Sequence, residues 1–387
     1  MPHPIRQSET DACPGALRLH AAADGPLARV RLPGGMLTGA QLAELIAIAT
    51  EWGDGGLELT SRANLQLRAL TRANPAFLAA RLHAAGLLPS QTHEVVRNIA
   101  APPLAPEPLR TLVRSLDEAL CADPALAVLP GRFLFALGRV PLTADLAAVP
   151  ASDGFAVLLT GHDEGLRVPA DRVVEALLTG AHAFLAERDG AWRLAEIPDG
   201  PSRIAARISA SLSMTPSSGR SEISDGAADS LVGVIEQEDG RMAVGAIVPL
   251  GRLTGVQAKV LLDAPRLVLT TARGVVVPDL APEAAAGWLA ALSEAGLPVE
   301  ADSRWSGVTA CAGRPGCAKS LADVRADALE ATRHSDGLPV HWVGCGRGCG
   351  SPSGAHVRVE ATPEGYLVDG VGVGGDLGDA VSAARRG

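Results

Sequence analysis

A segment near the start of this 387-residue chain returns past its middle. Residues 29–87 contain RVRLPGGMLTGAQLAELIAIATEWGDGGLELTSRANLQLRAL and close on AAGL. Residues 244–297 contain VGAIVPLGRLTGVQAKVLLDAPRLVLTTARGVVVPDL and close on EAGL. LTG begins at Leu37 and again at Leu253, LxLT at Leu57 and Leu267, and the glycine of AGL is Gly86 and Gly296. A six-residue deletion in the second copy reconciles the offsets. Two copies this far apart are a duplication of one unit, not a solenoid, whose periods run ~20–50 residues. Any fold for this chain must accommodate that unit twice.

Each copy reads strand, helix, strand, strand, helix. Alternation over Arg29–Leu32 predicts a strand, and Thr38 is a fitting N-cap for a helix from Gly39 to about Trp52. Leu57–Thr60 and Leu65–Ala69 read as short strands around a turn, and Asn74–Ala85 as a helix stopped by Gly86. That order suits an α+β ferredoxin-like half, and two such halves can pair their sheets about a pseudo-twofold axis. Between the copies, Pro108–Ala122 and Pro169–Arg188 read as helices, and Arg132–Leu137 and Gly154–Leu159 as strands. TPSSGRSEISDGAAD, residues 215–229, is rich in breakers and reads as a linker. The expected plan is a loose N-terminus (1–12), a first ferredoxin-like half (13–106), an α/β domain (107–214), the linker, a second half (230–300) and a second α/β domain (301–387).

Four of the six cysteines fall close together, as Cys311-x5-Cys317 and Cys345-x3-Cys349. Cys13 and Cys121 stand alone. A secreted disulfide scaffold spreads its cysteines through a short chain, and MPHPIRQSETDACPG lacks an apolar signal core, so a cytoplasmic protein is expected. Four thiolates on two short loops suit a [4Fe–4S] cluster or zinc. The x5 and x3 gaps fit a zinc knuckle poorly and a cluster well; four unligated thiols are the remaining reading. The net charge of −9 argues against a nucleic-acid partner, and no apolar run reaches the ~18–20 residues of a membrane span. A local basic pocket is compatible with both.

With these residues in view, the chain resembles the sulfite/nitrite reductase haemoprotein superfamily. The C-x5-C…C-x3-C pattern, RVRLPGG, LTSRANLQLRAL and VVRNIAAPPLA are similar to its cluster and tetrapyrrole-binding segments, from Cys13 to about Gly375. The resemblance implies an α+β, duplicated sulfite-reductase-like architecture: two ferredoxin-like halves plus two larger α/β domains. ACPGALRL, ADGPLARVRLPGG, TACAGRPGCA and GCGRGC followed by a proline resemble, within it, the oxygenase branch of aerobic cobalamin synthesis. That branch implies a [4Fe–4S] cluster on Cys311, Cys317, Cys345 and Cys349, a mononuclear non-haem iron, and no sirohaem. Its substrates are precorrin-3A, hydroxylated at C20 with γ-lactone closure, and O2. Electrons come from an external donor, a ferredoxin or an NAD(P)H-dependent reductase. A sirohaem-dependent sulfite or nitrite reductase is the alternative.

A tetrapyrrole with eight carboxylates calls for fixed cations, and arginine binds a carboxylate bidentately. Matching the superfamily's motifs nominates Arg29, Arg62, Arg68, Arg97 and Arg132, with Asn98 as an amide partner. Arg273, in LTTARG of the second copy, is shifted by one position from Arg62 and is a weaker candidate. One departure separates the alternatives. Sirohaem reductases carry a Lys-Phe-Lys element that helps supply protons and charge; here LPGRFLFAL has Arg132 for the first lysine and Leu134 for the second. Ligands for a non-haem iron are not evident. His93 is a weak catalytic candidate, His162-Asp163-Glu164 reads as a surface loop, and His341 and His356 flank the second cysteine pair. Gly370, Gly372 and Gly375 spell GxGxxG by accident, because too little chain follows for a dinucleotide fold.

Overall fold

In the computed structural model the two copies are joined by exchanging strands. The model describes residues 13–152, 154–215, 217, 231–334, 336–352 and 354–387. The expected loose N-terminus, and all of the expected linker except Thr215 and Ser217, lie outside the described residues. The first half forms an antiparallel sheet in the order His20–Ala22, Gly25–Val30, Leu65–Leu67, Gly56–Leu59, and its last place is taken by Arg252–Thr254 of the second half. The second sheet runs Gly233–Glu236, Met242–Ile247, Gly274–Leu280, Leu267–Leu269, and its last place is taken by Met36–Leu37 of the first. Leu253 sits opposite Leu57, and Leu37 opposite Leu267, so the residues that mark the repeat pair with each other's counterparts.

The helices follow from the same motif. Thr38 accepts a hydrogen bond from the Gln41 amide while the Gln41 side chain returns to the Thr38 amide, opening the helix Gly39–Trp52. Thr254 and Gln257 repeat this capping box before Gly255–Val260. Such a cap is worth ~1 kcal/mol. The second helix is shorter because the six-residue deletion falls within it. Leu42, Leu45, Ile48 and Ala49 on the first helix bury against both sheets, in one core that also holds Val244, Leu253, Leu267 and Val275. Gly39 is required for this closeness: a Cβ there would lie 1.8 Å from the Leu262 carbonyl oxygen.

Each half is followed by a further five-stranded sheet, and these two sheets share one plan. Ile99–Ala100, Phe135–Leu137 and Leu146–Ala151 are parallel, and Gly154–Leu159 and His162–Val168 complete the sheet antiparallel. Val308–Ala310, Val340–Val343 and Val357–Thr362 are parallel, followed by antiparallel Gly365–Val368 and Val371–Gly372. The fold is thus mixed α and β, duplicated at both levels. The His162-Asp163-Glu164 triplet belongs to a strand rather than a loop, and Asp163 is committed to Arg167 at 2.7 Å. Helices Glu107–Ala122, Val173–Glu187 and Gly200–Ser211 cover the first of these sheets through an apolar core centred on Phe133, Phe135 and Phe184.

Candidate functional site: cysteine loops and an arginine cluster

The two cysteine pairs share one end of one sheet. Cys311 directly follows the strand Val308–Ala310, and Cys345 lies two residues past its parallel neighbour Val340–Val343. Adjacent parallel strands deliver their following loops to the same edge, the usual ligand-binding edge of such sheets. The loops are stitched together there. The Leu321 amide donates to the Gly344 carbonyl at 2.7 Å, and the Cys311 amide donates to the Trp342 carbonyl at 2.9 Å. Gly344 admits the contact, since a Cβ would lie 1.8 Å from Ser320 Oγ. Cys317 ends the turn Gly313–Gly316, its amide donating to Gly313 at 2.7 Å.

All four cysteines are free thiols; Cys349 is exposed and the others half-buried. The Gly344 amide already donates to Cys311 Sγ at 3.2 Å, the kind of backbone bond that stabilises a thiolate ligand. These residues fit a thiolate-bound iron–sulfur cluster. Among the described residues, no three His, Cys, Asp or Glu side chains meet at the spacing of a single metal ion. A zinc knuckle or a ready-made non-haem iron site needs that convergence, whereas a four-iron cluster holds its thiolates farther apart. No step is therefore assigned to a non-haem iron. His341 is fully buried, its Nδ1 2.7 Å from Thr309 Oγ1 and its Nε2 3.1 Å from the Cys349 carbonyl. Burial holds its pKa down at about 4, so it is a neutral brace for the second loop.

The nominated cations divide into two groups. Arg29 and Arg62 lie together in one positive cluster, with Arg31 between them. Burial lowers the Arg31 pKa to about 9, and the charges of Arg29 and Arg62 add to the effect. Burial and then Arg193 lower Arg62 to about 10. Arg31 is 2% exposed. Its Nη1 donates to the Pro14 carbonyl at 3.1 Å, but its Nε and Nη2 have no hydrogen-bond partner among the described residues. The segment 13–18 meets this arginine at Pro14 and is tied down by Glu94, which accepts from the amides of Ala16, Leu17 and Arg18. A buried guanidinium with unmatched donors beside two other arginines leaves positive charge and hydrogen-bond capacity that an anion would satisfy. Arg31, one residue past the strand Gly25–Val30 and two after Arg29, was not among the sequence candidates. Arg62 also reaches the Arg132 carbonyl at 2.9 Å, and the exposed Arg132 guanidinium lies 5.3 Å from the centre of the Trp192 ring.

The other candidates are occupied by structural tasks. Arg97 is buried and bound bidentately by Asp117 at 2.7 and 2.6 Å, and it donates to the Leu87 carbonyl at 3.1 Å. Asn98 donates to the Gly131 and Val95 carbonyls. Arg68 is bound by Asp24 at 2.9 Å and donates to the Gly316 carbonyl of the cysteine loop at 2.9 Å. His93 is buried with both ring nitrogens engaged, Nδ1 by Ser90 and Thr92 and Nε2 by the Asp123 carbonyl. All four already have partners within the chain. Arg273 takes the left-handed backbone conformation at φ 61°, as Ala63 does at φ 55°, and its Nη2 approaches the Cys349 loop at Gly350. We expect Arg97→Ala to lower stability by ~3–5 kcal/mol, because it strands the Asp117 carboxylate. Tetrapyrrole affinity of the folded fraction should stay within twofold in a binding titration.

Leu134, which the motif resemblance sets against the second lysine of sirohaem reductases, is 2% exposed in a small core with Ala136, Val149 and Leu158. Phe133 and Phe135 on either side are fully buried. That position therefore offers a ligand no proton and no charge.

Comparison with known proteins agrees with this architecture. Residues 20–85 match the nitrite/sulfite reductase ferredoxin-like half domain. A precorrin-3B synthase from Sinorhizobium sp is 29% identical over 387 residues, covering 92% of this chain and 81% of the relative. The ferredoxin–nitrite reductase of Synechococcus elongatus is 28% identical over 420 residues, covering 91% and 80%. The structure of Mycobacterium tuberculosis NirA superposes with a TM-score of 0.74 at 20% identity, over 89% of this chain and 73% of that one. None of the described helices is long and apolar enough to cross a membrane. The matched half domain and the relatives that span nearly the whole chain make this protein similar to the nitrite/sulfite reductases and to a precorrin-3B synthase, with the fold of the former.

Proposed function

We propose that the protein is a precorrin-3B synthase, a [4Fe–4S] oxygenase that hydroxylates precorrin-3A at C20 with O2 and closes a γ-lactone. The buried Leu134, in place of a lysine needed for multi-proton reduction, carries the choice over a sulfite or nitrite reductase. The near-full-length precorrin-3B synthase relative supports it, although a nitrite reductase is almost equally similar. Bound by Cys311, Cys317, Cys345 and Cys349, the cluster supplies single electrons.

The chain's own residues do the holding. Arg31 and Arg62, with Arg29 beside them, take carboxylates of the tetrapyrrole and fix its orientation. Arg132, at the exposed rim, takes another. Phe133, Leu134 and Phe135 form apolar structure behind Arg132 and bring no competing proton donor. The electron donor is a separate protein, either a ferredoxin or an NAD(P)H-dependent reductase. The domain division given above for residues 13–106, 107–214, 230–300 and 301–387 is part of this reading.

Incubation of the cluster-loaded protein with precorrin-3A, O2 and a chemical reductant tests the assignment. The expected product has gained one oxygen atom, labelled when the gas is 18O2. Unchanged precorrin-3A, alongside turnover of nitrite or sulfite by sirohaem-bearing protein, would overturn it.

A further inference from the structure

A polar row crosses the first sheet beneath the cysteine loops. Arg29 pairs opposite Gln66, Gln66 opposite Glu58, and Glu58 opposite Arg252, so four adjacent strands each place one polar residue on the same face. Arg29 Nε donates to Gln66 Oε1 at 3.1 Å, and Gln66 Nε2 donates to Glu58 Oε2 at 3.3 Å. Glu58 is 4% exposed, and its Oε1 faces three guanidinium groups. Arg325 is in direct hydrogen-bonding contact, Arg68 is 3.6 Å away and Arg252 3.7 Å away. Two of the three hold the cysteine loop: Arg325 Nε donates to the Cys311 carbonyl at 3.2 Å, and Arg68 to the Gly316 carbonyl at 2.9 Å.

Asp24 binds Arg68 at 2.9 Å and Asp54 binds Arg252 at 3.0 Å, so three carboxylates meet these three guanidinium groups, with Arg273 as a further cation near Arg325 and Glu58. Removing one member leaves an unmatched charge where water screens it poorly.

We propose that Glu58 is a positioning residue for the cysteine centre: it presses Arg325 and Arg68 onto the Cys311 and Gly316 carbonyls and fixes the charge that the centre experiences. The proposal rests on the cluster reading above. It joins the sheet that carries the arginine cluster to the loop that carries Cys311 and Cys317, two parts of the chain far apart in sequence.

The test is a redox titration, followed by electron paramagnetic resonance, of whole protein purified anaerobically with its cluster. Glu58→Gln removes a negative charge and should favour the reduced cluster about tenfold at fixed potential, an upward shift of ~59 mV for a one-electron couple. Arg325→Gln removes a positive charge and should shift the midpoint downward. Arg325→Lys keeps the charge and should lie nearer wild type. Opposite shifts support the proposal. Equal midpoints in both glutamine variants, or shifts in one direction, overturn it. If Glu58→Gln does not fold, the two Arg325 variants decide: lysine no closer to wild type than glutamine overturns the charge role. A wild-type protein that binds no iron and sulfide would overturn the cluster reading and the proposal with it; iron analysis of wild type separates that failure from the others.

Discussion

Arg31→Met should make the ligand-free protein more stable and destroy its tetrapyrrole site. In the free protein Arg31 is buried with two of its three nitrogens lacking partners among the described residues, and Arg29 and Arg62 repel it. Replacing a buried, poorly compensated charge by an apolar side chain of similar length is neutral or stabilising by ~1–4 kcal/mol. The lost bond to the Pro14 carbonyl offsets part of that gain by ~1 kcal/mol. With a carboxylate bound, the balance inverts, because truncating one partner of a buried charge pair costs ~2–5 kcal/mol. Thermal melting should therefore rise or hold, while affinity for an octacarboxylate porphyrin probe falls by about 100-fold or more. The same account fixes a pH dependence. The free-protein Arg31 titrates at about 9, well below an ordinary arginine, and only its protonated form attracts the ligand. Wild-type affinity should be flat below that pH and fall above it. A less stable Met variant that binds normally would show that Arg31 is a fold element instead.

Cys345→Ser should abolish the metal centre outright. A cluster that loses one of four thiolates commonly fails to assemble, and Cys345 stands on the loop that Leu321 and Gly344 stitch to the Cys311 loop. Iron should fall from about four per chain to near zero after anaerobic reconstitution. Cys121→Ser is the control. Burial pushes the Cys121 thiol up to about 11, it sits on the helix Glu107–Ala122 behind Arg97, and its loss should leave iron content unchanged. Full iron content in the Cys345 variant would remove Cys345 from the ligand set.

Much of this architecture is legible in the chain because the repeat and the pairing are one fact. Leu37, Leu57, Leu253 and Leu267 mark the duplication in sequence and are the residues paired across the exchanged strands. Thr38 and Gln41 announce a helix by local chemistry alone. The site is harder to read. A motif shows that an arginine is present and not what satisfies it. Arg97 meets Asp117 on a helix whose polar positions give no hint of the pairing. Arg68 meets Gly316 across 248 residues of sequence. Arg31, masked by the more obvious Arg29, becomes a candidate only once burial and missing partners are seen. His162–Val168 is a strand paired with Gly154–Leu159, and its Asp163 is met by Arg167, a pairing that composition alone reads as loop polarity.

The central claim is a tetrapyrrole-acting iron–sulfur protein that works without sirohaem. The direct test is the absorption spectrum of anaerobically purified protein, with iron and acid-labile sulfide measured on the same sample. The account predicts a broad iron–sulfur shoulder, about four sulfides and about four irons per chain, and no Soret band. A sharp Soret band with long-wavelength sirohaem features would contradict it and make this chain a sulfite or nitrite reductase.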